Sequence, residues 1–589
     1  MKTLHPEPDY SKFNLFLKFL IMIWPFLFIW QGLDLTDTGY LLTGGQQVFV
    51  ELQNIQLSYL FSFIITGLWS RLSAPLGLMG AYLGSAFLYI VIAFSTYRAL
   101  RKYIPETTLL LGLLFTIMVP NMMRYINYNN LTALVFVLGS GVLFKAYSTN
   151  KPVYYLVAGV IFGSSFFFRL PNLVSISLIP VLFAGFYLND STWKENLKGV
   201  LAFSAGFLFA LMIPFVIFSM TGISDQYFQT FERLWSFMGD SSSHHSGMGL
   251  IKKVFLDIDK TFAAFLKSLV ILAVLAKIND IFHSRFIRAG IISLALVLVF
   301  LTGTGFVGQT ATYHYYLFAL IGSVLLLQLA GFTSSGRDIR FASLVALMVM
   351  IFGMAGSNTG LSAARYDLWL AIPLTLHGLF QLKGLYISQF PNSGKIVKEE
   401  KKGICFFSEE GLKLVRKIIC ASLVLFFLIL CYRFSYKDSD QRYMLRYNVD
   451  HPKMRYVFTT RERSRVMTEA LNELSKYVMP GDYLLAYNYI PLFYYLTDTR
   501  PYVYHSWPEM YTPEQLINKL KKAVMERPDL PPVIRAKYPP VNENWPQIHL
   551  SGRGPAAHLK VFSQFLKQGK YVQVWENDFF QILLPRSSW

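Results

Sequence analysis

From Phe13 to Tyr432 the chain is a succession of apolar runs parted by short, mostly basic loops. A run of about 18 or more apolar residues reads as a membrane span, because a helix of that length crosses the hydrocarbon while satisfying its own backbone. This sets the fold class before any motif is weighed: a mostly α, polytopic membrane protein, followed by a tail of ordinary polarity. Of 589 residues, 53% are hydrophobic and 15% charged, against about 25% charged in a soluble domain. The formal charge of +19 does not point to nucleic acid. The lysines and arginines cluster between spans, where positive charge sets orientation.

About thirteen spans are expected. The first is 13–33, the second 74–97, the third and fourth 107–120 and 131–144, the seventh 200–220 and the last 418–432. The first run lacks a small-residue cleavage site and reads as a retained span. Lys2, Lys12 and Lys18 place the N-terminus in the cytoplasm, and Arg98, Arg101 and Lys102 mark an inner loop. An odd count puts the tail outside. Residues 38–52 read as a short helix on the surface, and 56–69 as an interfacial or re-entrant helix too short to span. The domains are therefore 1–433, a membrane domain with its first outer loop at 34–73, and 434–589, an extracytoplasmic α/β domain. In that tail, helices are expected at 460–478 and 513–525, strands at 483–487 and 532–534, and a hairpin over 571–584. The tail has no N-x-S/T sequon, which favours a bacterial inner membrane and periplasm. Cys405, Cys420 and Cys431 show no metal-binding or disulfide spacing.

The chemistry concentrates where spans leave the membrane. Gly32-Leu33-Asp34-Leu35-Thr36-Asp37-Thr38-Gly39-Tyr40 follows the first span. Acids at that depth cost free energy unless solvated or employed. They read either as a helix cap with a solvated neighbour or as a general base: one carboxylate takes a proton from an attacking hydroxyl or amine, and the other orients the acceptor or binds a divalent cation. Arg71, Arg124, Arg169, Arg365 and His314 lie at outer ends of different spans. Singly, each reads as a headgroup anchor; together they suit a lipid phosphate, since guanidinium donates in pairs. The turns Arg169-Leu170-Pro171-Asn172, Tyr313-His314-Tyr315-Tyr316 and Ser357-Asn358-Thr359-Gly360 read as an aromatic belt with caps, or as groups for a sugar. His244-His245 reads as a polar loop, with no metal site. There is no P-loop, dinucleotide fingerprint or nucleophile elbow.

This layout resembles the GT-C membrane glycosyltransferases, and within them the protein mannosyltransferase and aminoarabinose transferase (PMT/ArnT-like) group. The family carries an Asp-Glu pair before a Tyr in its first outer loop. Asp37-Thr38-Gly39-Tyr40 matches the Asp and the Tyr, with Thr38 in place of Glu and Asp34 as a nearby stand-in. Pro480-Gly481-Asp482-Tyr483-Leu484-Leu485, then Pro491 and Tyr494-Tyr495-Leu496-Thr497, is similar to the tails of bacterial members. The resemblance implies inverting transfer of a sugar from a polyprenyl-phosphate carrier to a glycan, lipid or protein acceptor on the outer face. Asp37 is then the base, with Asp34 its helper. Arg71, Arg124, Arg169, Asn172, Tyr313, His314 and Tyr40 are the donor-binding set. No cofactor is required, a divalent cation is compatible, and membrane lipids are the surroundings. The rival is a transporter or flippase for a lipid-linked sugar, which calls for charges or broken helices near mid-membrane and two related halves.

Overall fold

The computed structural model describes residues 10–119, 123–188, 192–220, 222–225, 227–228, 232, 247–281, 284, 290–291, 293–294, 312–331, 333, 336–354, 357, 359–382, 386–387, 404–405, 409–433, 435, 437–438, 441–540, 545–546 and 556–586. The N-terminal three quarters is helical: α1 (Ser11–Ile23), α2 (Asp37–Gln47), α3 (Leu60–Leu72), α4 (Leu78–Leu100), α5 (Glu106–Met118), α6 (Tyr128–Thr149), α7 (Pro152–Ser164), α8 (Leu178–Tyr187), α9 (Trp193–Met220), α10 (Gly247–Ile281), α11 (Thr312–Leu329), α12 (Arg337–Phe352), α13 (Ala371–Gln381) and α14 (Glu409–Arg433).

Among the described residues, α4, α6, α9 and α10 are long and apolar enough to cross a membrane by length and composition; five further apolar helices are shorter. The chain is a multi-pass membrane protein; several of the expected spans take a different form among the described residues. The departures have local causes. The first run breaks at Pro25, which has no N–H to continue the ladder; α1 ends and a single 3₁₀ turn, Trp24–Phe26, follows. The run after α7 passes through 3₁₀ turns at Ser165–Phe167 and Leu170–Ser177 before α8 begins. In α14, Glu409, Glu410, Lys413, Arg416 and Lys417 occupy the first turns and shorten its apolar part. The run expected as the ninth span lies mostly outside the described residues, as do His244 and His245.

Helices α7 and α9 pack at backbone distance. A Cβ on Gly159 would fall 2.0 Å from the Phe203 carbonyl, and one on Gly206 would fall 2.1 Å from the Leu156 carbonyl. Small residues allow such approach where no hydrophobic effect drives helices together. At the start of α6, Asn127 accepts from the Asn129 and Asn130 amides, and Asn130 answers on the Asn127 amide, so three amide donors are met in one capping box.

The tail holds α15 (Arg461–Leu474), β1 (Tyr483–Tyr487), α16 (Leu492–Thr497), β2 (Arg500–Pro501), α17 (Pro513–Glu526), β3 (Val533–Ala536), α18 (Ala556–Gln568), β4 (Tyr571–Glu576) and β5 (Phe580–Pro585). The sheet order is β2-β1-β3-β5-β4, parallel across β2, β1 and β3 and antiparallel beyond. Alternation along β1 sends Leu485 and Tyr487 to a core with Leu516, Leu520, Phe562 and Phe565. Leu484 and Ala486 go to the other face. That second core does not stop at the tail. It joins Val466, Leu484, Phe493 and Phe580 to Leu33, Leu35, Leu41, Leu42 and Phe63.

Helix α2, expected on the surface, is therefore buried on nearly every side. The Leu492 amide donates to the Leu35 carbonyl at 3.1 Å, and Thr43 Oγ1 donates to the Pro491 carbonyl at 3.1 Å. Lys453 bridges Asp498 at 2.5 Å, and Gln46 donates to the same carboxylate at 3.0 Å. Arg527 pairs with Glu51 from between the rings of Tyr483 and Tyr504, each 4.1 Å away. A Cβ on Gly39 would lie 2.1 Å from the Leu492 nitrogen. Gly39→Ala is expected to lower stability by roughly 1–3 kcal/mol through overpacking, read as unfolding in detergent. An alanine variant as stable as wild type would remove this contact.

Candidate active site

The stretch between α1 and α2 is shaped by the tail. The Phe458 amide donates to the Trp30 carbonyl at 2.7 Å, and the Gly32 amide donates to the Phe458 carbonyl at 2.9 Å. The Leu33 amide donates to Asp438 Oδ2 at 2.7 Å. The chain then turns at Asp34, which is 3% exposed. Its Oδ1 accepts from the Thr36 amide at 3.0 Å and from Thr36 Oγ1 at 2.6 Å; its Oδ2 accepts from the Thr38 amide at 2.7 Å. Asp34 thus uses both oxygens to organise the N-terminus of α2, where free amides and the helix dipole favour an anion.

Asp37 is the first residue of α2 and is placed differently. Its side chain is 29% exposed, and Oδ2 meets the Lys437 ammonium at 2.5 Å. Among the described residues Oδ1 takes no hydrogen bond. Lys437 also reaches Thr36 Oγ1 at 3.3 Å. Burial alone would depress the Lys437 ammonium; Asp37 and Asp34 outweigh it and hold its pKa above the ordinary value. The lysine is fixed from behind by its neighbour. Asp438 accepts from Leu33, from Thr459 Oγ1 at 2.7 Å and from Arg463 Nη1. Arg463 is fully buried and donates from Nε to the Trp545 carbonyl at 2.8 Å.

A ring of tyrosines and arginines surrounds this pair. Tyr59 and Tyr128 stack at 4.6 Å, and each lies within electrostatic reach of both Asp37 and Arg169. Tyr366 lies within reach of Lys437 and accepts from Arg365 Nη2 at 3.0 Å. Asp37 is thus paired with Lys437, Tyr59 and Tyr128 feel both Asp37 and Arg169, and Tyr366 connects electrostatically to Lys437 and by a hydrogen bond to Arg365.

The expected residues distribute unevenly. Arg169 is 6% exposed and, like Asp37, lies within electrostatic reach of Tyr59. Asn172 is buried and donates to Thr132 Oγ1 at 2.8 Å and to the Ser165 carbonyl at 2.9 Å, so it braces the turn that carries Arg169. His314 is buried, 3.5 Å from Ser362 Oγ, and is coupled to Arg365. Arg71 is exposed and lies over the Phe49 ring at 4.0 Å. Arg124 donates to the Phe28 carbonyl at 2.8 Å and lies within reach of Tyr82, as does Asp34. Tyr40 donates to Gln56 at 3.2 Å and stacks on His505 at 5.5 Å. The side chain of Tyr313 lies outside the described residues. Sequence reasoning missed Lys437, Tyr59, Tyr128 and Tyr366. The signal for Lys437 was there: it lies a short step beyond the last apolar run and Arg433, an edge position akin to that of Asp34.

Comparison with protein-family models and with curated proteins gives no match. Among solved structures, the chain is similar to ArnT from Cupriavidus metallidurans bound to undecaprenyl phosphate. That likeness covers 98% of each chain at 10% sequence identity and a TM-score of 0.41.

Asp34→Ala removes three hydrogen bonds at the start of α2. It is expected to cost roughly 1–2 kcal/mol of stability, whereas Asp37→Ala, which removes one part-exposed ion pair, is expected to cost less, about 0.5 kcal/mol. Thermal unfolding of both variants in detergent checks the contrast, and equal midpoints would overturn the division of labour.

Proposed function

We propose that the protein is an integral-membrane glycosyltransferase that moves a sugar from a polyprenyl-phosphate carrier to an acceptor on the outer face of the membrane. The observation that carries this reading is Asp37, accessible and held through one oxygen by Lys437. Tyr59 and Tyr128 lie within electrostatic reach of both Asp37 and Arg169, and Tyr366, which accepts from Arg365, lies within reach of Lys437. A base, a fixed geometry and cations for a phosphate are the groups such a transfer requires.

The step balances without a cofactor. The acceptor hydroxyl oxygen attacks the anomeric carbon and forms the new glycosidic bond. The bond from that carbon to the phosphate oxygen breaks, and its electron pair leaves with the phosphate. The acceptor proton passes to Asp37 Oδ1. Attack from the side opposite the phosphate inverts the anomeric centre. Charge grows on the departing phosphate, so cations aimed at it act mainly in the transition state. Arg169 is suited to that task by its fork of donors. Lys437 orients Asp37 and stands near enough to follow the charge as it moves. Asp34 shapes the helix start that presents the base. Segment 434–589 closes the site from the outside as an α/β domain whose core runs on into the first loop.

The experiment is transfer of label from polyprenyl-phosphate sugars by the full chain in nanodiscs. Asp37→Asn is expected to lower the rate by about 10²–10⁴-fold, the usual contribution of a positioned base, with circular dichroism unchanged. Lys437→Met is expected to lower it as well, and Lys437→Arg to restore part of it. Wild-type transfer by Asp37→Asn would end the assignment of Asp37 as base.

A further inference from the structure

The tail carries a second constellation that the transfer step does not use. Strands β1 and β3 run parallel, and their onward connections leave in opposite directions, β1 towards β2 and β3 towards β4. Open α/β sheets hold ligands beyond the carboxyl ends of such strands. Here that corner is made by Asn488 and Tyr489, which follow β1, and by the segment Tyr504–Glu509, which follows β2.

The corner is built and polar. Asn488 is 1% exposed; its side-chain nitrogen donates to the Ala536 carbonyl at 2.8 Å, and its amide donates to Glu509 Oε1. Among the described residues, three enclosed atoms on these loops have no hydrogen-bond partner: Asn488 Oδ1, Trp507 Nε1 and Glu509 Oε2. Buried polar atoms are nearly always paired, so three together ask for an explanation. Tyr489 and Trp507 are half-buried and cross at 5.7 Å and 80°. Asn488, Tyr489 and Tyr504 all hold left-handed backbone, with φ of 69°, 67° and 61°. Non-glycine residues keep such conformations where the surroundings impose them.

The set of orphans selects a ligand class. One is an acceptor, one a donor and one a carboxyl. A hydroxyl group is donor and acceptor at once, so neighbouring hydroxyls satisfy all three. The adjoining aromatic faces suit the C–H side of a sugar ring. Burial pushes the Glu509 carboxyl up to about 7, where it exchanges between donor and acceptor forms. The corner also touches the transfer site. Trp507 meets Tyr40 at 5.9 Å, and His505 stacks on that ring. Tyr40 follows Asp37 by three residues on α2, about one turn along the same face.

We propose that Asn488, Tyr489, Trp507 and Glu509 form a carbohydrate subsite that seats a neutral sugar ring of the acceptor beside Asp37. The assignment of that sugar to an acceptor rests on the transfer reading; the binding site itself does not. The test is saturation-transfer NMR on the full chain in nanodiscs, with mannose, N-acetylglucosamine and cellobiose as separate probes. Transfer to the ring C–H protons of at least one probe is expected. Trp507→Phe, which keeps a ring and loses the N–H, and Glu509→Gln, which keeps the shape, are each expected to weaken it about five-fold or more. Asp37→Asn is expected to leave it unchanged. Absence of transfer to all three probes, or equal transfer in wild type, Trp507→Phe and Glu509→Gln, would overturn the subsite. If Trp507→Phe does not fold, Glu509→Gln alone decides. Sugar contact with a fully active Asp37→Asn enzyme would remove the base and leave the subsite standing; the converse pair of results would do the opposite.

Discussion

Asp438 and Arg463 are both fully enclosed, and the geometry around Asp37 hangs from their contact. Taking two charges out of water is costly, and breaking one such pair by removing a partner costs roughly 3–5 kcal/mol. Here each partner also has backbone to hold. Asp438 takes the Leu33 amide, and Arg463 takes the Trp545 carbonyl. The pair therefore stitches three distant segments together. Because Lys437 precedes Asp438 in the chain, its ammonium is delivered to Asp37 by the same anchor.

The two aspartates of the first loop show how identical chemistry separates by environment. Asp34 is enclosed and spends both oxygens on local amides and a hydroxyl. Asp37, three residues on, meets one cation and keeps an oxygen available. A carboxylate that shapes a helix and one that keeps an oxygen available differ only in what surrounds them. The glycine between Asp37 and Tyr40 in the motif has a packing reason as well: any larger residue at 39 would meet the backbone of α16.

Much of this was legible in the residues. Apolar runs marked the membrane class, and the alternation and turns of the tail marked strands at Tyr483 and Val533 and the hairpin near Asn577. Asp37 and Arg169 stood out because charge at a membrane edge is expensive. What was not legible came from two sources. Proline and 3₁₀ turns cut long apolar runs into short helices, which run length does not show, as at Pro25 and Pro171. Burial of α2 came from a domain more than 400 residues away in the chain. No local pattern reveals that Gly39 faces Leu492, or that Asp37 faces Lys437. Arg71 misled for a related reason: its position at a helix end was read correctly, yet its local partner is a phenylalanine ring.

The Asp37–Lys437 pair spans 400 residues of sequence. A chain made from its N-terminus first carries the carboxylate from the beginning and acquires the lysine only after the last membrane helix is complete. Until then α2 has α3 against Gly44 and Gly45 but lacks the cover of Leu492, Pro491 and Phe493, which are later still. Synthesis and insertion thus pass through a long stage in which every helix of the bundle is present and the centre does not exist. The final quarter of the chain acts as a molecular signature of completion: a truncated or half-inserted product has the motif but cannot assemble its surroundings.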